Sequence, residues 1–569
     1  MYVFRPSRGS VNSYGSYPCR ANDRQAASDL FTEPVGQSQF RRLKHAGRRS
    51  PPGSPGSFRS PFSGVFRESS VIVSKARQST GRRLARGATL VLASEIAVRI
   101  LSLASMLVVA RLLGPSALGQ LAIAQAVVAY AGVVGDGGLT ILTQRMMVRE
   151  PTREARLVAT ATSIQLSLAP LLAAAVFGAS AVLPIDKAAR NLVIVLSPLI
   201  VMQALNLFYV MQARAQIGQF AIVRTLGQAV TAILGMTLVI VLRSNTWAAV
   251  SIWTGALFAD LLCFGALRAN GFRLGRPDWA VAKHLLRSGW AYLAIAVLSW
   301  VLQSFDILVI GATRSSQDVG QYAAAYRIVL VAVGLAAVIH TVVFPELIRR
   351  YRDDPPAFAR FLTALIRQSA RVGYAMAAFV AVAGAQIAYT LYGSEFRRSG
   401  LILSLLFLSV PLSYCASLMG QGLLAAGRER GYLANISVTA SVTVIALIVF
   451  VPTGGAPAAA GIVLGGEIVT VTLFTLQFSR SLHFVPSREL LVQLPWLVVP
   501  VLSMSALNAF WSRAPLGVMV IVWLASVCIV EMAGGRRLYY ETAGLSEEAG
   551  RLNPSPLLPA DPLNPNLEG

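Results

Sequence analysis

Charge is what this chain has least of. Of 569 residues only 13% are Asp, Glu, Lys or Arg, where a soluble protein of that length carries roughly a quarter. Acid is scarcer than base, 26 residues against 50, which leaves a formal charge of +24. Histidine and cysteine number four each. His45, His284, His340 and His483 stand too far apart to suggest a metal triad or a nucleophile–base pair. Cys19, Cys263, Cys415 and Cys528 follow no zinc or redox spacing, and three of them read as small apolar helix residues. The phosphate loop GxxxxGK(S/T) is missing, which argues against ATP hydrolysis within the chain. The basic residues sit in no recognisable nucleic-acid fold. These shortages point away from an enzyme, a metal or cofactor protein, and a nucleic-acid partner.

What the chain does have is apolar length: 55% of it is hydrophobic and its mean hydropathy is +0.59. The stretch from Leu90 to Met146 sets the pattern, two long apolar runs joined by Arg111-Leu-Leu-Gly-Pro-Ser-Ala-Leu-Gly119. Each run is long enough to cross a bilayer core as a helix, which takes about 20 residues. Gly114-Pro115 favours a turn between them. The pattern recurs over 88–110, 118–142, 157–182, 192–211, 220–241, 247–267, 284–310, 319–344, 361–391, 401–425, 432–451, 456–478, 490–510 and 516–531. The expected fold is therefore all-α and polytopic, with about 14 membrane helices.

Loop charge tests that count. Arginines collect after runs 2, 4, 6, 8, 10 and 12, as in Arg145, Arg149, Arg153 and Arg156, or Arg349, Arg350, Arg352 and Arg360. The opposite loops are lighter. Under the positive-inside rule this predicts an even number of spans with both termini cytoplasmic. The two halves also resemble each other: Gly119-Gln120 aligns with Gly320-Gln321 at an offset of 201 residues, and Ala213-Arg-Ala-Gln-Ile-Gly218 matches Ala426-Gly-Arg-Glu-Arg-Gly431 more loosely. Six helices separate the copies, so they share orientation and relate by an axis along the membrane normal. The expected organisation is a disordered basic cytoplasmic tail over 1–86, six-helix lobes over 87–270 and 271–480, two additional helices over 481–535, and a cytoplasmic tail over 536–569. The first tail is rich in Ser, Gly, Pro and Arg and has too little apolar side chain to fold.

Ionisable groups at membrane depth are the default functional candidates. Glu95 and Arg99 share one face of the first helix, where they can pair or both face a cavity. Arg327 has no acid within a turn or two, so an anionic ligand could neutralise it, or its side chain could snorkel to the interface. Asp260 and Glu467 are isolated carboxylates suited to a proton or sodium couple, or to an interhelical hydrogen bond. Asp136, beside Gly137-Gly138, and Asp306 lie near helix ends, where each can cap a turn or bind across an interface. Gln165, Gln203, Asn206, Gln228 and Gln303 add a polar thread.

The sequence resembles the polysaccharide flippases of the multidrug/oligosaccharidyl-lipid/polysaccharide exporter superfamily. The resemblance is carried in order by Ala110-Arg-Leu-Leu-Gly-Pro-Ser-Ala-Leu-Gly-Gln120, Val134-Gly-Asp-Gly-Gly-Leu139, Phe305-Asp-Ile-Leu-Val-Ile-Gly311, Val319-Gly-Gln-Tyr-Ala-Ala-Ala-Tyr-Arg327, Leu391-Tyr-Gly-Ser-Glu-Phe396 and Gly422-Leu-Leu-Ala-Ala-Gly-Arg428. It implies two lobes around a cationic cavity that pass a polyprenyl-diphosphate-linked oligosaccharide across a bacterial inner membrane for capsule, exopolysaccharide or O-antigen. It also implies membrane lipid, a polysaccharide polymerase and export proteins as partners. Carried over, Arg99 and Arg327, with Gln203 and Gln303, are the substrate candidates, and Glu95, Asp260 and Glu467 the ion-coupling candidates. Arg111, Gly114, Pro115, Gly119, Asp136, Asp306 and Gly320 mark the fold. The rival readings are a lipid II flippase, a cation-coupled drug exporter and a non-transporting scaffold of a polysaccharide assembly complex.

Overall fold

The computed structural model describes residues 62–511 and 514–532. Residues 1–61 of the tail expected over 1–86, and the whole of the tail expected over 536–569, lie outside the described residues. Every apolar run read from the sequence is helical over most of its length, with breaks inside the second, fourth and thirteenth. Ten helical stretches among the described residues are long and apolar enough to cross a membrane, and the protein is an all-α multi-pass membrane protein.

Helix α1 covers Phe62–Asp136 and is broken at Gly114, whose φ of 78° and ψ of 179° no helix contains. Pro115 drives the residue before it out of the helical region, and glycine tolerates the positive φ that results. The helix starts earlier than expected, taking in 62–86. The reason lies in proline: the tail has Pro51, Pro52, Pro55 and Pro61, and then none until Pro115, so nothing interrupts the helix in between. A short α2, Leu139–Arg149, follows Gly137 and Gly138, both at positive φ. Then come α3 (Glu154–Val182), α4 (Lys187–Leu196), α5 (Pro198–Leu205), α6 (Phe208–Ala213), α7 (Ile217–Leu242) and α8 (Asn245–Ala269). The fourth run is thus three pieces. Pro198 lacks the N–H that would continue α4, and the Asn206 side chain accepts from Phe208 N at 3.1 Å where the backbone bond fails.

The second half holds α9 (Trp279–Thr313), α10 (Ser316–Asp353), α11 (Pro355–Tyr392), α12 (Arg397–Ala425) and α13 (Glu429–Leu482), the last interrupted at Gly455 within Pro-Thr-Gly-Gly-Ala-Pro. Three of these starts are capped by side chains: Asp278 accepts from Ala280 N, Ser315 from Asp318 N, and Asp354 from Ala357 N with Pro355 at the first helical position. The short α14 (Arg488–Val492), α15 (Pro495–Phe510) and α16 (Leu516–Met532) end the described chain. They attach to α11 through Arg367–Glu489 at 2.9 Å, Arg371 to Gln493 at 2.8 Å, and Trp523 to the Ala375 carbonyl at 2.7 Å.

Buried apolar side chains are arranged unequally between the two ends of the bundle. Near the arginine-poor loops one continuous core takes residues from both halves, among them Val109, Leu118, Leu192, Val239, Ile310, Val319, Tyr392, Leu403 and Val451. Near the arginine-rich loops the core divides. One cluster, with Met147, Leu157, Met211 and Leu267, belongs to the first half. Another, with Leu347, Leu362, Leu418 and Phe478, belongs to the second. Helix α9 touches both halves: Leu285 is buried with Leu139, Leu142 and Ala161, whereas Val309 and Ile310, at its other end, enter the shared core.

At the arginine-poor end the two aligned turns meet each other. A Cβ on Gly119 would strike the carbonyl of Ser316, and a Cβ on Gly320 would strike that of Pro115. Pro115 and Ser316 are themselves aligned at the same 201-residue offset as the two glycines. The contact is therefore reciprocal: each glycine seats against the backbone of the other turn. One carboxylate and two backbone carbonyls from other loops reinforce it. Asp186 bonds the Ser316 hydroxyl, the Glu395 carbonyl accepts from Gln321 at 2.7 Å, and Arg111 reaches the Leu391 carbonyl at 2.7 Å.

Candidate functional site

Between the halves, at the depth of the middle of α1, lies a small chamber of about 190 Å³ lined by Glu95, Arg99, Ser102, Arg224, Gln228 and Arg327, among others. Ser102, Gln228 and Arg327 also line a second chamber of about 230 Å³ with Ser105, Gln125, Thr231 and Ser251. α1 contributes Glu95 and Arg99 one helical turn apart, α7 contributes Arg224, and α10 contributes Arg327.

Glu95 holds two of the three cations. It pairs with Arg99 at 3.5 Å and, more closely, with Arg224. Arg327 donates to Gln125 Oε1 at 3.0 Å, and Arg99 Nη1 donates to the Leu330 carbonyl at 2.9 Å. Three guanidiniums thus face one carboxylate. A lone arginine at the centre of a membrane helix costs about 2.5–3.5 kcal/mol on the insertion scale, so a group of three persists only where protein, water or a ligand matches it. Arg99 and Arg327, both singled out in the sequence, come together here. Arg224 was missed although it interrupts the run 220–241 as Arg327 interrupts its own, a signal that could have found it; its partner is 129 residues away.

Other expected residues lie elsewhere. Gln203 lies in a pocket of about 320 Å³ between the first half and α9, with Asp136, Thr140, Gln165 and Asn206 on one side and Trp300 on the other. There Asp136 Oδ1 accepts from Gln165 at 3.0 Å, from Thr140 N at 3.3 Å and from the Thr140 hydroxyl. The pocket borders the breaks at Gly137-Gly138 and at Asn206, in keeping with irregular backbone at membrane depth occurring where it lines a cavity or is buried in protein. Gln303 is exposed on α9, its carbonyl accepting from Tyr326. Asp306 is buried and bonded to the Tyr322 hydroxyl. Glu467 bonds Ser413 across α12 and α13 and faces a pocket of about 510 Å³ with Thr439, Thr443 and Thr470. Asp260 is half-buried in α8 and is not among the lining residues of the central chambers. Among the described residues no three of His, Cys, Asp and Glu stand close enough together to hold a metal ion.

A family model described as polysaccharide biosynthesis protein matches residues 108–400. No curated protein sequence matches. Solved structures do. The lipid II flippase MurJ in its inward closed conformation superposes with a TM-score of 0.66 at 14% identity, covering 79% of this chain and 100% of that one. An inward-facing multidrug resistance MATE family transporter of the MOP superfamily gives 0.51 at 16% identity, over 69% of this chain and 98% of that one. A MOP superfamily transporter from Pyrococcus furiosus, described by a binding pocket of reversed polarity, gives 0.51 at 15%, over 70% and 97%. At such identities the likeness concerns the fold: this chain has the helical fold of that superfamily.

Proposed function

Because the chain belongs to the polysaccharide biosynthesis protein family, we propose that it carries a lipid-linked sugar across a bacterial inner membrane by alternating access. The observation that carries this reading is the chamber that Arg99, Arg224 and Arg327 line together with a single carboxylate, Glu95, which pairs with the first two. A diphosphate link between lipid and sugar is the multiply anionic group that such a set would hold, since guanidiniums bind phosphate oxygens in forked pairs. The chambers, each smaller than a typical ligand pocket of 300–1,000 Å³, would have to widen for a glycan, which separation of the halves provides. In this reading the chain has 14 spans, with lobes over 87–270 and 271–480, an attached pair of helices over 481–535, and both tails in the cytoplasm. Loop arginines and the breaks at Gly114 and Gly455 support that count. Glu95, Asp260 and Glu467 remain the candidates for ion coupling. Gln203 and Gln303, which lie away from the chamber, are not assigned to the diphosphate.

Two cargoes share this chemistry. An oligosaccharide repeat unit, destined for a polymerase and export proteins, is favoured by the family description. Lipid II is favoured by the likeness to a lipid II flippase over the whole of that chain. Deletion of the gene separates them by what accumulates inside the cell. Lipid-linked repeat units support the first and lipid II the second, while unchanged pools of both refute the transport reading.

A further inference from the structure

Arg99 has a second attachment that ion pairing does not explain. Its guanidinium lies flat on α10 at Gly334, so close that a Cβ there would fall on Arg99 Cζ. From that seat Nη1 donates to the carbonyl of Leu330, the residue one turn earlier. The carbonyl already serves the helical bond to Gly334 and offers its remaining lone pair to Arg99. Arg99 is nevertheless under-bonded. Its contact with Glu95, at 3.5 Å, is longer than the 2.7–2.9 Å of a good charge-assisted bond. Its Nε–H is buried with no acceptor among the described residues.

We infer that Arg99 is a clasp between α1 and α10 that an anionic ligand opens, an inference that rests on the diphosphate reading of the chamber. A diphosphate brings full negative charge to the guanidinium and offers the forked pair that the single Leu330 carbonyl cannot. A ligand that takes Arg99 removes the bond to α10. Taking Arg327 as well removes its bond to Gln125, a second tie to α10 made by the part of α1 that follows the break at Gly114. Ligand binding then has a different free energy in the clasped and unclasped states, which is the condition for a ligand to shift a conformational equilibrium. The glycine at 334 has the role of admitting the guanidinium.

The test uses the full chain, with native cysteines replaced, in nanodiscs, carrying spin labels at Leu90→Cys and Ile348→Cys, exposed positions on the two helices. Geranylgeranyl diphosphate is the anionic probe and geranylgeraniol its neutral control. The diphosphate, but not the alcohol, should add a population at longer distance. Gly334→Ala, which evicts the guanidinium from its seat on α10 but removes none of the chamber's charges, should show that population before any ligand is added. It should also bind the diphosphate within about threefold of the parent chain, whereas Arg99→Gln weakens binding by about tenfold or more and is itself unclasped. Unchanged distances in both variants, or a parent chain that binds the diphosphate without any change of distance, overturn the clasp. A parent chain that does not bind the diphosphate overturns the reading of the chamber, and the unliganded variants still decide the clasp.

Discussion

Glu95 stands between Arg99 and Arg224, and its removal should cost both stability and selectivity. Breaking a fully buried pair costs 3–5 kcal/mol; here both ends keep some exposure, so Glu95→Gln should destabilise the protein by about 1–2 kcal/mol, read as a lower melting temperature in detergent. Arg224→Ala and Arg327→Ala should each weaken binding of a prenyl diphosphate about 10- to 100-fold, as loss of a charged hydrogen bond of about 1.5–3 kcal/mol requires, and should block export while folded protein persists in the membrane. Full export in both variants would remove the chamber from the mechanism. At this scale the sequence was informative where charge interrupts hydrophobicity. Arg99 and Arg327 were visible because arginine is rare in an apolar run. Which of the glutamines joins them was not, because Gln203, Gln228 and Gln303 look alike until helices are packed, and packing sends Gln228 to the arginines and Gln203 to Asp136.

Elements were more legible than contacts, and for a physical reason. A helix in a membrane must satisfy its own backbone, so apolar length alone predicts it, and Gly114-Pro115 and the Pro-Thr-Gly-Gly segment before Ala456 predict where it turns. The fourth run, read as one helix, is α4, α5 and α6, although Pro198 was in plain view. Proline inside a membrane helix is tolerated often enough that only the neighbouring pocket explains why this one breaks the chain. The reciprocal seat of Gly119 and Gly320 gives a test at this scale. In Gly320→Ala the new methyl meets the Pro115 backbone, which cannot turn aside as a side chain can. The substitution should destabilise by about 1–3 kcal/mol as overpacking does, measured by thermal unfolding, and raise the reactivity of a thiol placed at Ser316. A variant as stable and as closed as the parent would show the seam to be looser than drawn.

For the whole molecule, the arginine-poor end is sealed and should have to open in every cycle if access alternates. Asp186 and Ser316, whose side chains touch across the seal, supply a handle. With cysteines at both positions and the native ones replaced, a short thiol cross-link should stop export and its reduction should restore it; export that continues with the link intact would mean that this end stays shut. The internal repeat, read from short aligned turns, has its counterpart in the paired glycine contacts, yet no sequence pattern told that the copies would meet at one end and part at the other.

That difference in the core has an energetic meaning. The shared cluster behaves like a zip closed at one end: separating the halves there exposes apolar surface at about 25 cal/mol per Å² wherever water rather than lipid replaces it, whereas at the opposite end the two larger clusters are separate and the smaller one around Leu285 of α9 bridges the halves. Parting the halves at the shared core is therefore the costlier of the two openings, and a carrier that opens there in each cycle has to recover that cost from its ligand or its driving ion.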